Sequence, residues 1–187
     1  MIKIGITGSL ASGKSTVAKM ISSGKYPLYN ADRAVKKIYQ TNIFQAKVSK
    51  KFKLKNKKNI KNKIKKIISS DKKSLKVLEK IIHPLVREQI RKFTKKNNGK
   101  KFIIFEIPLL VESKQMKNYD RIIFVNSRKD LRLKRYLKRG NNKRFFDLLN
   151  KRQLSPAKKI KFCDYVINNN GSIKLLKKNI KNIMLKL

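Results

Sequence analysis

The stretch Gly8-Ser9-Leu10-Ala11-Ser12-Gly13-Lys14-Ser15, followed by Thr16, decides how the rest of the chain is read. It fits G-x-x-x-x-G-K-[ST], a glycine-bearing loop whose backbone N–H groups close around phosphate oxygens. Its surroundings suit that use. Residues 1–7 form an apolar run that reads as a strand, and residues 16–22 place Val17, Ala18, Met20 and Ile21 at helical spacing. A helix starting at the loop adds its positive end to the site. Gly8, Ala11, Ser12, Gly13, Lys14, Ser15 and Thr16 are therefore the candidate ATP-binding residues. Lys14 reaches the β- and γ-phosphates and the Ser15 hydroxyl serves Mg²⁺. A chance glycine-rich turn does not supply strand, helix, lysine and serine together. The chain is expected to bind a nucleoside triphosphate.

At 187 residues the chain is long enough for one domain with a real core. No apolar run approaches the length of a membrane span, and no basic leader precedes the first strand, so a cytoplasmic protein without a membrane partner is expected. Cys163 is the sole cysteine, reads as a small core residue, and fits a reducing compartment. The net charge of +41 admits two readings. Lysine mixed with asparagine and isoleucine is what an A/T-rich genome encodes, and a basic balance also suits polyanions. Aromatic residues do not interleave with the cations as in a single-strand platform, so no specific nucleic-acid partner is expected. The field still attracts ATP and a phosphorylated co-substrate, less so at high salt.

Further along, residues 27–29 lead into Asn30-Ala31-Asp32, a short strand ending beside an acid. Ligands of parallel α/β sheets gather at the carboxyl ends of strands. Asp32 thus suits either a proton acceptor from an attacking hydroxyl or the cap of a helix over 33–40. Residues 41–100 differ in character. A Lys-rich run over 50–66 leads into Ile60, Ile64, Ile67 and Ile68 as one stripe, Ser70-Asp71 reads as a helix start, and Pro84 interrupts and kinks the helix that follows, which resumes through Leu85, Val86, Ile90 and Phe93. This is a helical insertion between strands. His83, the one histidine, sits beside Pro84 and read alone is structural.

Residues 101–107 (KFIIFEI) read as a buried strand in which Glu106 takes the position of a carboxylate that holds Mg²⁺ directly or through water. Residues 121–126 make a fourth strand, with Ser127 expected to cap the next helix. That helix carries Arg132, Lys134, Arg135, Lys138 and Arg139, which suit its negative end or a mobile lid that neutralises the transferring phosphoryl. Residues 164–167 give a fifth strand and 172–187 a closing amphipathic helix.

Taken together these segments resemble dephospho-CoA kinases nearly end to end. Beside the phosphate loop, Asn30-Ala31-Asp32 is similar to the family's Asp-Ala-Asp, residues 82–86 (IHPLV) to its I-H-P-L-[IV], residues 107–112 (IPLLVE) to its P-L-L-[FV]-E, and residues 164–171 (DYVINNNG) to its closing D-x-V-I-x-N-x-G. The resemblance implies a P-loop kinase fold with a five-stranded parallel sheet, core segments 1–40 and 101–187, a helical acceptor-binding insertion over 41–100, and a lid near 139–160. It implies transfer of the ATP γ-phosphoryl to the ribose 3′-hydroxyl of dephospho-CoA, with Mg²⁺, in a monomer or small homo-oligomer. It makes Asp32 the general base, with Lys14 and Arg139 stabilising the transferring oxygens. It also gives His83 to the acceptor, Asn169 to ATP, and Ser15 with Glu106 to the metal.

Three positions depart from the family pattern. Asn30 replaces the first Asp of its pair, Glu106 stands where an Asp is common, and Gly140 stands where an Asp often follows the lid arginine. The extra methylene of Glu106 shifts its carboxylate by about 1.5 Å and favours a water-mediated metal contact. The rivals are another small-molecule kinase, such as a nucleoside monophosphate kinase, and a nucleic-acid-binding P-loop ATPase.

Overall fold

The computed structural model describes residues 1–54 and 59–187. In chain order its elements are β1 (Ile2–Gly8), α1 (Lys14–Ser22), β2 (Leu28–Asn30), α2 (Ala31–Ile38), α3 (Asn42–Lys51), α4 (Ile60–Ser70), α5 (Lys72–Lys96), β3 (Phe102–Glu106), β4 (Arg121–Asn126), α6 (Lys129–Leu137), α7 (Lys143–Lys151), α8 (Pro156–Ile160), β5 (Tyr165–Asn168) and α9 (Ile173–Met184). The five strands form one sheet in the order β2-β3-β1-β4-β5, and every neighbouring pair is parallel. The expected five-stranded parallel α/β sheet is present. The chain divides into two compact units, Met1–Asn30 with Asn97–Leu187, and Ala31–Lys96.

In the first unit the strands read as near-continuous apolar runs because helices and loops cover both faces. Period-two alternation sends Ile4, Ile6, Phe102, Ile104, Ile123 and Val125 to one face, where they pack on Val17, Ala18 and Ile21 of α1 and Leu176 and Ile180 of α9. Each such side chain, fully buried, contributes about 1.5–3 kcal/mol. The residues between them turn the other way: the Phe105 ring lies 5.3 Å from Tyr119 and 5.8 Å from Tyr29. Burial pushes the Tyr29 phenol up to about 12 and the Tyr119 phenol higher still. Glu106 has the parity of Phe102 and Ile104, so it emerges on the face that α1 covers.

Two aspartates extend the ladder beyond the strands. Asp120 Oδ2 accepts from Lys3 N at 2.7 Å, and Asp164 Oδ2 accepts from Ile122 N at 2.6 Å. In each case the neighbouring backbone returns a bond, Asp120 N to Lys3 O and Asp164 N to Ile122 O. A carboxylate thus stands in for the next residue of the strand.

The second unit is helical. Ile38, Phe44, Val48, Ile60, Ile64 and Leu78 form its core. Ile60 and Ile64 belong to the stripe expected in the Lys-rich run; residues 55–58 of that run lie outside the described residues. Asp71 starts α5, accepting from Lys73 N and Ser74 N at 2.8 Å each. Pro84 lies inside α5 and does not end it. Ile81, Ile82, Leu85 and Val86 pack against the core on both sides of the proline, and that burial outweighs the one lost helical hydrogen bond.

Ser127 differs from expectation as well. Arg128 is the N-cap of α6 and makes no side-chain cap. The Ser127 hydroxyl instead donates to Asn169 O at 3.1 Å and accepts from Arg135 Nη1 at 2.9 Å.

Candidate active site

The loop between β1 and α1 is packed so closely that two of its glycines have no substitute. A Cβ on Gly8 would lie 2.5 Å from Val125 O. Gly13 has φ +95°, and a Cβ there would lie 2.2 Å from Asn169 Nδ2. That amide nitrogen donates to Ser12 O at 2.8 Å. Asn169 is buried, its own backbone N–H bonds to Asn126 O, and Arg135 Nη2 donates to its carbonyl at 2.8 Å. The turn after β5 therefore grips the loop at its entry to α1.

Lys14 is buried and its Nζ donates to Gly8 O at 3.1 Å and Ser9 O at 2.8 Å. Two carbonyls of the loop hold an ammonium within side-chain reach of any phosphate the loop takes. Ser12 Oγ is buried without a hydrogen-bond partner among the described residues. No side chain caps α1, whose first N–H groups carry the helix's positive end. The Lys14 ammonium and the first amides of α1 suit an anion with several oxygens.

Glu106 joins this loop to the neighbouring strands. Its side chain accepts from Ser15 Oγ through Oε1 and from Asn30 Nδ2 through Oε2, each at 2.5 Å, and the residue is only 4 % exposed. Asn30 and Glu106 are register partners on β2 and β3. Two of the three departures from the family pattern are thus in contact: the longer carboxylate reaches an amide donor where a second carboxylate would have repelled it. With its proton directed to Glu106, the Ser15 hydroxyl turns its lone pairs outward. Hydroxyl and carboxylate oxygens are the hard donors Mg²⁺ takes, and a site of one or two protein oxygens completed by phosphates is the usual one for this ion. Among the described residues no cluster of three or more acidic, histidine or cysteine ligands occurs.

The cations of α6 and of the turn that follows it divide sharply. Arg139 is exposed. Arg132 is 4 % exposed, donates through Nε to Ser127 O (3.1 Å) and through Nη1 to Leu10 O (3.2 Å) and Asn150 Oδ1 (2.9 Å), and stacks 5.6 Å from the Phe146 ring centre. Burial lowers its pKa from the ordinary guanidinium value. Gln153 Oε1 accepts from Leu10 N at 2.9 Å. Sequence reasoning missed Gln153 altogether, and it missed that Arg132 and Arg135 hold the loop and the turn after β5. The available signal was spacing: Arg132 lies one turn before buried Tyr136, so it shares the inward face of α6.

Glu112 also lies off the catalytic expectations. It forms an ion pair of poor hydrogen-bond angle with the fully buried Lys159 (2.5 Å) and accepts from Leu154 N at 3.2 Å. Residues of the loop and strand ends, Gly8 to Ser15 with Glu106 and Asn169, come together in the first unit. Asp32 and His83 belong to the second: Asp32 is an exposed residue within the first turn of α2, and His83 is exposed in the middle of α5.

Residues 2–174 match the family model described as dephospho-CoA kinase. The chain belongs to the dephospho-CoA kinase family. The dephospho-CoA kinase of Bartonella henselae is 36% identical over 170 residues, covering 88% of this chain and 87% of that protein. Among solved structures, TT1252 from Thermus thermophilus has a TM-score of 0.88 at 26% identity and covers 100% of this chain and 97% of its own. The dephospho-CoA kinase from Campylobacter jejuni has a TM-score of 0.71 at 26% identity, with 98% and 96% covered. The chain is a kinase with the P-loop kinase fold, as its dephospho-CoA kinase relatives are.

Proposed function

We propose that this chain transfers the γ-phosphoryl of ATP to the ribose 3′-hydroxyl of dephospho-CoA, giving coenzyme A and ADP. The observation that carries the reading is the extent of the family match, residues 2–174, which spans every candidate site residue from Gly8 to Asn169.

In the mechanism, the triphosphate lies on the amides of residues 11–16, and Lys14 turns from the Gly8 and Ser9 carbonyls to the β- and γ-phosphates. Asp32 takes the proton of the 3′-hydroxyl as that oxygen bonds to the γ-phosphorus. The bond from phosphorus to the bridging oxygen breaks and ADP leaves with the electron pair. Lys14 and Arg139 stabilise charge on the transferring oxygens. Mg²⁺, when bound, neutralises charge on the phosphates and would be held by Ser15, with Glu106 orienting that hydroxyl or binding through water. Asn169 serves ATP by fixing the Ser12–Gly13 peptide. The helical insertion, with His83, takes the acceptor, and the segment near 139–160 closes over the phosphates as a lid. We place the enzyme in the cytoplasm as a monomer or small homo-oligomer that needs neither a specific nucleic acid nor a membrane.

Phosphorylation assays offering dephospho-CoA, AMP, GMP, CMP and shikimate in turn test the assignment. Dephospho-CoA is expected to be the preferred acceptor by a wide margin. Preference for a monophosphate would overturn it.

A further inference from the structure

Leu10 has both its backbone N–H and its C=O taken by side chains from far along the chain, Gln153 and Arg132. Each peptide of the loop is trans, so its N–H and C=O point in opposite directions. In the Ser9–Leu10 peptide, the carbonyl faces Lys14 Nζ and the N–H faces Gln153 Oε1. In the next peptide the order reverses: Leu10 O faces Arg132, so Ala11 N–H points away from Arg132. In the Ser12–Gly13 peptide, Ser12 O faces Asn169, so Gly13 N–H points away from Asn169. Three side chains outside the loop therefore hold these three peptides in their orientations.

The Arg132 contacts are unusual for a buried cation. A buried guanidinium usually sits against a carboxylate, because desolvating an unpaired charge is costly. Among the described residues, those of Arg132 are neutral acceptors: two backbone carbonyls and the Asn150 amide oxygen. Asn150 in the last turn of α7 and Gln153 just beyond that helix lie three residues apart, so one short segment meets Leu10 both directly and through Arg132.

We propose that Gln153 and Arg132 are positioning residues for ATP: they hold the peptides on either side of Leu10 and so aim the Ala11 amide for phosphate binding. The inference rests on the reading of residues 8–16 as the ATP site. It makes ATP affinity depend on Gln153 and leaves acceptor affinity independent of it.

The test compares Gln153→Leu, which keeps the bulk and removes the acceptor oxygen, with Gln153→Glu, which keeps that oxygen. Steady-state kinetics in the full chain are measured with ATP varied and with dephospho-CoA varied. Gln153→Leu is expected to raise KM for ATP about tenfold, the effect of one lost hydrogen bond to a peptide group, with KM for dephospho-CoA within about twofold. Gln153→Glu is expected to return KM for ATP to within about threefold of wild type. An unchanged KM for ATP in Gln153→Leu, equal rises in both KM values, or no rescue by Glu each overturn the proposal. Binding of a fluorescent ADP analogue gives the same wild-type-to-variant ratio without an acceptor. A chain that ignores dephospho-CoA thus refutes the acceptor assignment and leaves the role of Gln153 to be judged on its own.

Discussion

Asn30→Asp places a carboxyl against Glu106 where an amide now donates to it. The two side chains meet at 2.5 Å, and Glu106 is nearly excluded from water. Two like charges 4 Å apart at an effective dielectric of 20 repel by about 4 kcal/mol, and relaxation of the variant side chain to a greater separation leaves roughly 2–4 kcal/mol. The variant avoids part of this by holding a proton between the two carboxyls, so the pair titrates above the ordinary carboxylate range in the folded state. Below about pH 3 both carboxyls are protonated in folded and unfolded chains alike, and Asn30→Asp loses little against wild type. As pH rises from there the folded state binds the extra proton, stability is lost, and the loss levels off above the raised value. At 2–4 °C per kcal/mol for a chain of this size, Tm at pH 7.5 is expected to fall roughly 5–15 °C below wild type, against about 2 °C at pH 4.5. Thermal denaturation followed by circular dichroism at both pH values reads this directly. Saturating Mg²⁺ is expected to recover part of the loss by binding the new anion. A drop of equal size at both pH values, or none, refutes the placement of Asn30 against Glu106.

Other expectations are more local. Lys14→Ala and Asp32→Asn are each expected to remove most phosphoryl transfer, by roughly a hundredfold or more, with Tm within a few degrees of wild type; wild-type turnover in Asp32→Asn ends the general-base assignment. Lys159→Met leaves Glu112 without its cation and is expected to cost about 3 kcal/mol in urea denaturation, with Glu112→Gln in the same chain restoring at least half. Burial, more than the nearby Asp164, pushes the Cys163 thiol up to about 11. Its alkylation at pH 8 is therefore expected to be roughly a hundredfold slower in the folded chain than in urea, and matching rates would place Cys163 elsewhere.

How much of this was legible in the sequence depends on the range over which each residue acts. The strand runs, including the one that ends in Glu106, and the helix after the glycine-bearing loop are local patterns, and each reads correctly from neighbours a few residues away. The Asp71 helix start is equally local. The grip on the loop is not. Gln153 meets Leu10 across 143 residues of chain, and Asn169 meets Ser12 across 157. A side chain that bonds a backbone group leaves no complementary residue to look for, since every residue offers the same N–H and C=O. Ser127 shows the same limit from the other side. Its local environment argues for a cap, and the carbonyl of Asn169 wins it. The α6 arginines stand together in the sequence, yet choosing among them requires knowing which face α6 turns inward, and only packing supplies that. Pro84 reads as an interruption after which the helix resumes, and α5 runs through it because the core that holds it is assembled from three other helices.

The aspartates that extend the sheet have a practical consequence for anyone redesigning this chain. Lysine and arginine number 51 against ten acidic residues, so the obvious way to make a less basic version is to exchange charges freely. The two classes are not equally exchangeable. Asp120 and Asp164 complete strands, Asp71 opens a helix, Glu106 orients Ser15, and Glu112 neutralises a buried ammonium. Lysines such as Lys73, Lys76 and Lys80 on α5 and Lys174, Lys177 and Lys178 on α9 are exposed on helix surfaces. A variant recoded toward neutrality can take its new glutamates at α9 first, keep every existing acid, and treat each carboxylate as a fitting rather than a charge.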